Sequence, residues 1–427
     1  MIAQLVNILY SIVDRMFVGQ IEEVGNVCLA AVGICGPIVT LLSSFGTLVG
    51  IGGSIWLSMC LGQKNEKRAS QILYNSFVML VVLSICLTLG FILLKHNLIY
   101  WFGGSDALYP YANTYLTIYT LGTFFALMSI GLNYFITGQG YATIAMLSVC
   151  IGAITNIMFD FILIRTLKIG VAGAAIGTVV AQFISCMFVL CFLRFKSKIK
   201  LHKEELSIEK MKHIVKLGFS PFLIIASDSI ILIVMNMMLQ KYGGDMGDIY
   251  ISAITVAQSY FLLITGPLLG ISSGTQPIFA YHFGSQNLKK IKEAFKIVIS
   301  FAFLFCLVMF IISMCYSNVF VAMFTNDAMT MPIADRAIKN FCLGILMMSI
   351  QYVLVDGITG LSNVKLSLFL SLNRKLMYLG CTCLLPAFLG VSNIFYAQPT
   401  ADIYASIVTI ICFIKIIPSY LKSHGVK

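Results

Sequence analysis

The sequence predicts an all-α polytopic membrane protein with twelve transmembrane helices in two pseudo-symmetric six-helix bundles. Composition is the first reason. Of 427 residues, 59% are hydrophobic and only 11% charged, and the mean hydropathy is +0.94. A soluble domain carries about a quarter charged residues. Span length is the second. Uncharged stretches at 27–61, 69–94, 107–159, 169–193, 249–281, 297–326 and 376–401 reach or exceed the ~20 apolar residues that cross a bilayer. They lack the alternation a membrane barrel needs, so the spans are helices. The third reason is a repeat. Shifted by 222 residues, Gly52 falls on Gly274, Asn65 on Asn287, Pro110 on Pro332, Gly122 on Gly344 and Gly138 on Gly360. The register holds without a gap between those ends, and a repeat in an apolar chain marks transporters whose halves rock around a site.

The twelve spans fall near 1–18, 27–61, 69–94, 110–137, 143–164, 171–194, 215–240, 249–283, 291–316, 335–361, 365–389 and 394–420. Residues 107–159 hold two of them, broken at Gly138-Gln139-Gly140-Tyr141. The first half is 1–194 and the second 215–427, joined by a charged linker at 195–214 that reads as a solvated, partly helical tether. Six spans per half is an even number, so both halves enter the membrane from the same side, as in parallel-repeat transporters. The repeat also places the start of helix 1 about a third of the way along its expected length, as though truncated.

The net charge of +11 sets orientation rather than nucleic-acid binding. Eighteen Lys and Arg lie in one set of alternating loops and six in the other. The positive-inside rule therefore puts the richer side and the C-terminus in the cytoplasm. Thirteen cysteines show no C-x-x-C spacing, and five histidines (His96, His202, His213, His282 and His424) sit at helix ends or in loops. Neither pattern supports a metal centre or an intramembrane enzyme, and no cofactor is expected.

The segments at 7–19 (NILYSIVDRMFVG), 43–77, 155–164 (TNIMFDFILI), 170–182 (GVAGAAIGTVVAQ), 271–287 (ISSGTQPIFAYHFGSQN) and 397–402 (AQPTAD) resemble the multidrug and toxic compound extrusion (MATE) family, in its bacterial branch. The resemblance implies efflux of drug-like organic compounds from a bacterial cytoplasmic membrane, by a chain acting as a monomer.

Charge inside the hydrocarbon region is the functional signal, because such groups are costly and default to functional roles. Of seventeen acids, four lie deep in apolar sequence: Asp14, Asp160, Asp228 and Asp356, with Asp402 borderline. Asn156 and Asp160 are four apart and share one face of their helix, as do Ala174 and Thr178 on the next. Asp14, Asp160 and Thr178 fall at one depth in the outer half of the membrane. Two carboxylates, an amide oxygen, a hydroxyl and a backbone carbonyl suit a hard cation; alternatively the carboxylates could carry a proton. Family resemblance implies that Asp14, Asn156, Asp160, Ala174 and Thr178 form the cation site, for Na⁺ or H⁺. One departure is Phe161, where the family often has proline. Under the 222 shift Asp14 meets Asn236, Asn156 meets Tyr378 and Asp160 meets Thr382, so the second half lacks the pair. Asp228 matches a carboxylate implicated in coupling in some relatives, and Asp356 is a candidate for attracting cationic substrate. Either could instead form an interhelical hydrogen bond. Arg374 and Lys375 are expected to face a watery cytoplasmic vestibule.

The predicted function is cation-coupled antiport by alternating access, with a lipid-linked oligosaccharide flippase of the wider superfamily as the alternative. A less favoured alternative is an intramembrane enzyme, which would need a nucleophile with a positioned base and against which the peripheral histidines count.

Overall fold

The computed structural model describes residues 2–284, 286–361 and 363–423; Met1, Ser285, Ser362 and 424–427, including His424 and the C-terminus, lie outside them. Every regular element among the described residues is helical. In chain order they are α1 (Ile2–Gly19), α2 (Gly25–Gly62), α3 (Glu66–Trp101), α4 (Tyr109–Leu121), α5 (Thr123–Gly138), α6 (Ala142–Asp160), α7 (Val171–Cys191) and α8 (Ile208–Gly243). The remainder are α9 (Gly247–Gly274), α10 (Gln276–Gly284), α11 (Leu288–Ala322), α12 (Thr330–Cys342), α13 (Ile345–Gly360), α14 (Val364–Leu389) and α15 (Ala397–Ser423).

These resolve into the twelve predicted spans. Seven described stretches pass on length and hydropathy alone, and two bent pairs, α4 with α5 and α12 with α13, raise the number to nine. One of the seven, Ile225–Ser272, is α8 and α9 run together across the short 3₁₀ turn Gly244–Met246, and so is two crossings. α1 and α14 complete the set; α14 is the more polar of the two, with Lys365, Arg374 and Lys375 along it.

The bends are the main feature that hydropathy did not foretell. α4 and α5 meet at 56°, α12 and α13 at 47°. Gly122 and Gly344, repeat partners, sit at the two breaks. A Cβ on Gly122 would lie 2.6 Å from Val179 Cγ2, and one on Gly344 would lie 2.8 Å from the Pro399 Cα. Both breaks are thus places where a neighbouring helix comes too close for any side chain. The span expected at 249–283 is also divided, into α9 and α10 around Thr275.

Packing divides the chain into two compact units, residues 9–237 and residues 238–427 with 3–8. This packing boundary lies beyond the boundary between repeats, since α8 up to Met237 packs with the first unit. A Cβ on Gly218 would stand 1.8 Å from the Leu48 carbonyl oxygen, and one on Gly52 would stand 2.2 Å from that of Ile214. α8 and α2 are therefore in backbone contact, which is what small residues permit between membrane helices.

Within the 9–237 unit one apolar cluster gathers Val49, Leu57, Ile72, Leu132, Phe135 and Val189 from α2, α3, α5 and α7. A second gathers Val18, Val32, Ile38, Leu116 and Ala174 from α1, α2, α4 and α7. α3 exposes Ile85, Leu89, Leu93 and Trp101, as expected where lipid rather than protein is the solvent.

The linker is not a free tether. Asn75 on α3 donates from Nδ2 to the Glu205 carbonyl at 2.9 Å and accepts the Ser207 N–H at 2.9 Å. Ser70 meets His202 Nε2 at 3.2 Å, and Gln139 accepts the Ile199 N–H at 2.8 Å. Helix resumes at Ile208, earlier than the expected 215, with the Ser207 hydroxyl accepting the Lys210 N–H.

Candidate cation site

The site is built on α1, α6 and α7, all within the 9–237 unit. Asn156 and Asp160 project from one face of α6, four residues apart, and both are buried. Asn156 Nδ2 donates to Asp160 Oδ1 at 3.5 Å and to Thr178 Oγ1 at 3.4 Å. The Thr178 hydroxyl donates to the Ala174 carbonyl at 3.0 Å, one turn back on α7. Asp14, on α1, is buried and brings its carboxyl within hydrogen-bonding reach of Asp160. All five sequence-predicted residues therefore converge.

Three buried oxygens in this cluster have no hydrogen-bond partner among the described residues: Asp14 Oδ1, Asn156 Oδ1 and Asp160 Oδ2. Buried polar atoms are nearly always satisfied, so three orphaned acceptors on adjacent side chains make a set suited to a cation or a proton. Among the described residues no group of three or more His, Cys, Asp or Glu could hold a metal ion.

Local backbone explains how the carboxylates meet. α6 ends at Asp160 and the chain widens into a π turn over Phe161–Thr166, a distortion frequent at functional sites. Phe161 occupies the position where proline was expected from the family, and its ring packs edge-on against Phe17 of α1 at 6.5 Å. On α7, a Cβ at Gly177 would lie 2.5 Å from Asp160 Oδ1. The missing side chain is what admits the Asp160 carboxyl.

Sequence reasoning missed Gly177, although it stands between Ala174 and Thr178 in a glycine-rich run. It also missed Tyr115 on α4, which is buried close enough to both Asp14 and Asp160 to feel their charge. A tyrosine in an apolar helix carries no signal until its neighbours are known.

The repeat partners behave differently. Thr382 Oγ1, at the position matching Asp160, donates to the carbonyl of Tyr378, the residue matching Asn156, at 2.8 Å. Asn236, matching Asp14, donates to the Gly33 carbonyl at 3.2 Å. Where the first half gathers charge, its copy makes one bond within α14 and one between α8 and α2.

The other candidates separate from this cluster. Asp228 has an exposed side chain on α8 and is not among the groups that perturb the two carboxylates. Asp356, on α13 in the other unit, accepts from Gln276 Nε2 at 3.0 Å and from the Ser272 hydroxyl. This is the interhelical bond that was its alternative reading. One correction concerns Arg374 and Lys375. Arg374 does not simply face a vestibule: its NH1 donates to Asp402 Oδ1 at 3.0 Å and its guanidinium lies 5.2 Å over the Tyr352 ring. Lys375 is buried. Asp402, borderline by sequence, is fully buried and accepts a second bond from Gln398 Nε2 at 2.8 Å. The start of α15 is buried from Ala397 to Asp402 apart from Thr400, which settles the borderline reading as a buried acid.

The MatE family model matches residues 1–162 and 225–377. The chain belongs to this family. Its relatives include the multidrug export protein MepA of Staphylococcus haemolyticus, 27% identical over 364 residues, covering 83% of this chain and 77% of that protein. Among solved structures, an inward-facing multidrug resistance MATE transporter of the MOP superfamily aligns over 98% of this chain and 96% of its own, with a TM-score of 0.90 and 22% identity. The MATE multidrug transporter DinF-BH aligns over 97% of this chain and 93% of its own, with a TM-score of 0.77 and 28% identity. This MatE chain is thus a multi-pass membrane protein whose relatives are transporters and not enzymes.

Proposed function

We propose that this chain is a cation-coupled antiporter that exports drug-like, often cationic, organic compounds across a bacterial cytoplasmic membrane. One observation carries the reading. Asp14 and Asp160 meet in a buried cluster, with the Arg15 guanidinium close enough to act on Asp14, and with Asn156 they leave three oxygens unpartnered, while the repeat partners of the two acids are hydrogen-bonded and uncharged. Two carboxylates at this separation repel unless a proton or a cation lies between them. Na⁺ would take Asp14, Asp160 and the Asn156 oxygen, with Thr178 and the Ala174 carbonyl completing an all-oxygen shell. H⁺ would sit on the carboxyl pair itself.

Coupling then follows from differential affinity. Ion binding must favour one access state and organic substrate the other, or nothing is moved uphill. The multidrug export relatives and the DinF-BH multidrug transporter support drug-like organic molecules as cargo. The halves 1–194 and 215–427 serve as the moving parts of a monomer, with the C-terminus in the cytoplasm and no cofactor beyond the coupling ion.

The test is efflux of an ethidium-like dye from vesicles, driven by a Na⁺ gradient or by a pH gradient, for the unaltered chain and for Asp160→Asn. Loss of ion-driven efflux, with dye binding retained, is expected. Undiminished ion-driven efflux in the variant would remove the assignment.

A further inference from the structure

We infer that a basic pocket at the start of α8 binds a phosphate-bearing anion. The pocket encloses about 350 Å³ and is lined by Trp56 from α2, Arg68 from α3, and Lys210, Lys212, His213 and Lys216 from α8. A volume of that size accommodates a small ligand or a headgroup. Four permanent cations face it against one acid, Glu209. Among the described residues no carboxylate pairs within 4.0 Å with any of those four. Gathering like charges without counter-charge is unfavourable unless an anion joins them.

The repeat sharpens the contrast. Arg68 and Gln71 have Lys290 and Glu293 as their partners under the 222 shift. Lys290 Nζ pairs with Glu293 Oε2 at 2.9 Å. In the first half the acid is replaced by an amide, and Gln71 Oε1 accepts from Lys210 Nζ at 2.6 Å. An amide orients Lys210 without cancelling its charge. The second half also carries exposed Ile278 in place of Trp56.

Trp56 gives the pocket a rigid wall. The indole is largely buried, the Arg68 guanidinium lies 5.2 Å over it, and the His213 ring stands 4.4 Å away. Stacking holds the guanidinium in place, and a guanidinium so held offers paired donors matched to phosphate oxygens. The linker bonds to Asn75 fix the approach to α8, so the lysines are presented from an anchored helix. The same chemistry suits an anionic lipid headgroup at the bilayer edge or a soluble phosphate.

The experiment uses the full chain in phosphatidylcholine nanodiscs, with Trp101→Phe so that Trp56 is the sole indole reporter. Short-chain phosphatidylglycerol and inorganic phosphate are titrated separately while Trp56 emission is followed. A saturable response is expected. If phosphatidylglycerol alone produces it, the ligand is a lipid headgroup; if inorganic phosphate produces it, the ligand is a soluble phosphate. Arg68→Gln with Lys212→Gln and Lys216→Gln should weaken the response at least about tenfold, given the contribution of each basic residue near an anion. Gln71→Glu, which removes no side chain and restores the repeat's counter-charge, should weaken it in the same direction and guards against misfolding of the triple variant. No saturable response to either probe, or a response unchanged in Gln71→Glu and in a triple variant that elutes as a single species, would overturn the inference.

Discussion

Replacing Gly177 by alanine tests the cation site at its tightest point. The added Cβ would lie 2.5 Å from Asp160 Oδ1, about 1 Å inside ordinary contact between such atoms. The helix backbone of α7 cannot withdraw without disturbing its packing on α6, so the carboxyl must move by roughly that amount. Global stability should change little. Overpacking costs about 1–3 kcal/mol, and the gain in helix propensity from Gly to Ala returns about 0.8–1 kcal/mol. The ion site should suffer more, because a misplacement of about 1 Å costs up to about a hundredfold where geometry is demanding. The expected result is a tenfold to hundredfold rise in the Na⁺ or H⁺ concentration for half-maximal dye efflux, with thermal stability nearly retained. Gly90→Ala is the matched control, since a Cβ there meets nothing within 4 Å. If Gly177→Ala leaves the ion dependence within twofold of the unaltered chain, close approach of α7 to Asp160 does not shape the site.

Gly218→Ala should be far more damaging to folding than Gly90→Ala, because its Cβ would collide with the Leu48 carbonyl backbone; a detergent thermal-shift assay should show a loss of about 2 kcal/mol or more. For the Arg374–Asp402 pair, Asp402→Asn or Arg374→Met alone should cost about 3–5 kcal/mol, and the double variant less than the sum of the two. Additive losses in a double-mutant cycle would show the pair to be uncoupled. Lys168, in the turn before α7, pairs at 2.8 Å with Glu22 in the loop after α1 and holds its carboxyl below the ordinary value. A depressed folded value gives stability that is present above the unfolded pKa and lost as pH falls through the folded one. Lys168→Gln should therefore raise the Glu22 titration midpoint, read by carboxyl NMR, with little effect on the melting temperature at neutral pH because both groups are exposed.

How far the sequence reached can be judged residue by residue. Hydropathy and the 222-residue repeat sufficed for twelve spans, since a bilayer demands apolar length and little else. Asp14 and Asp160 were legible because ionised groups in oil are rare, helical spacing put Asn156 and Asp160 on one face and Ala174 and Thr178 on another, and the resemblance to the MATE family implied that the five act together. Gly177 and Tyr115 were not, because their parts depend on which atoms lie opposite across a helix interface. The breaks at Gly122 and Gly344 were invisible for a related reason: uninterrupted hydropathy is compatible with a straight or a bent crossing. Arg374 and Asp402 lie 28 residues apart on different helices, so nothing local pairs them. The linker's anchorage turns on Asn75, an amide that reads from sequence alone as one more polar residue in α3.

The paired breaks at Gly122 and Gly344 also bear on ancestry. Both copies keep the elbow at matching positions, so it was already present in the single unit that was copied. The acidic dyad is found in one copy alone, with Asn236 and Thr382 at the matching positions of the other, so the copies have diverged there. The jointed frame is therefore the inheritance the two copies share, and they differ in the charge each carries upon it.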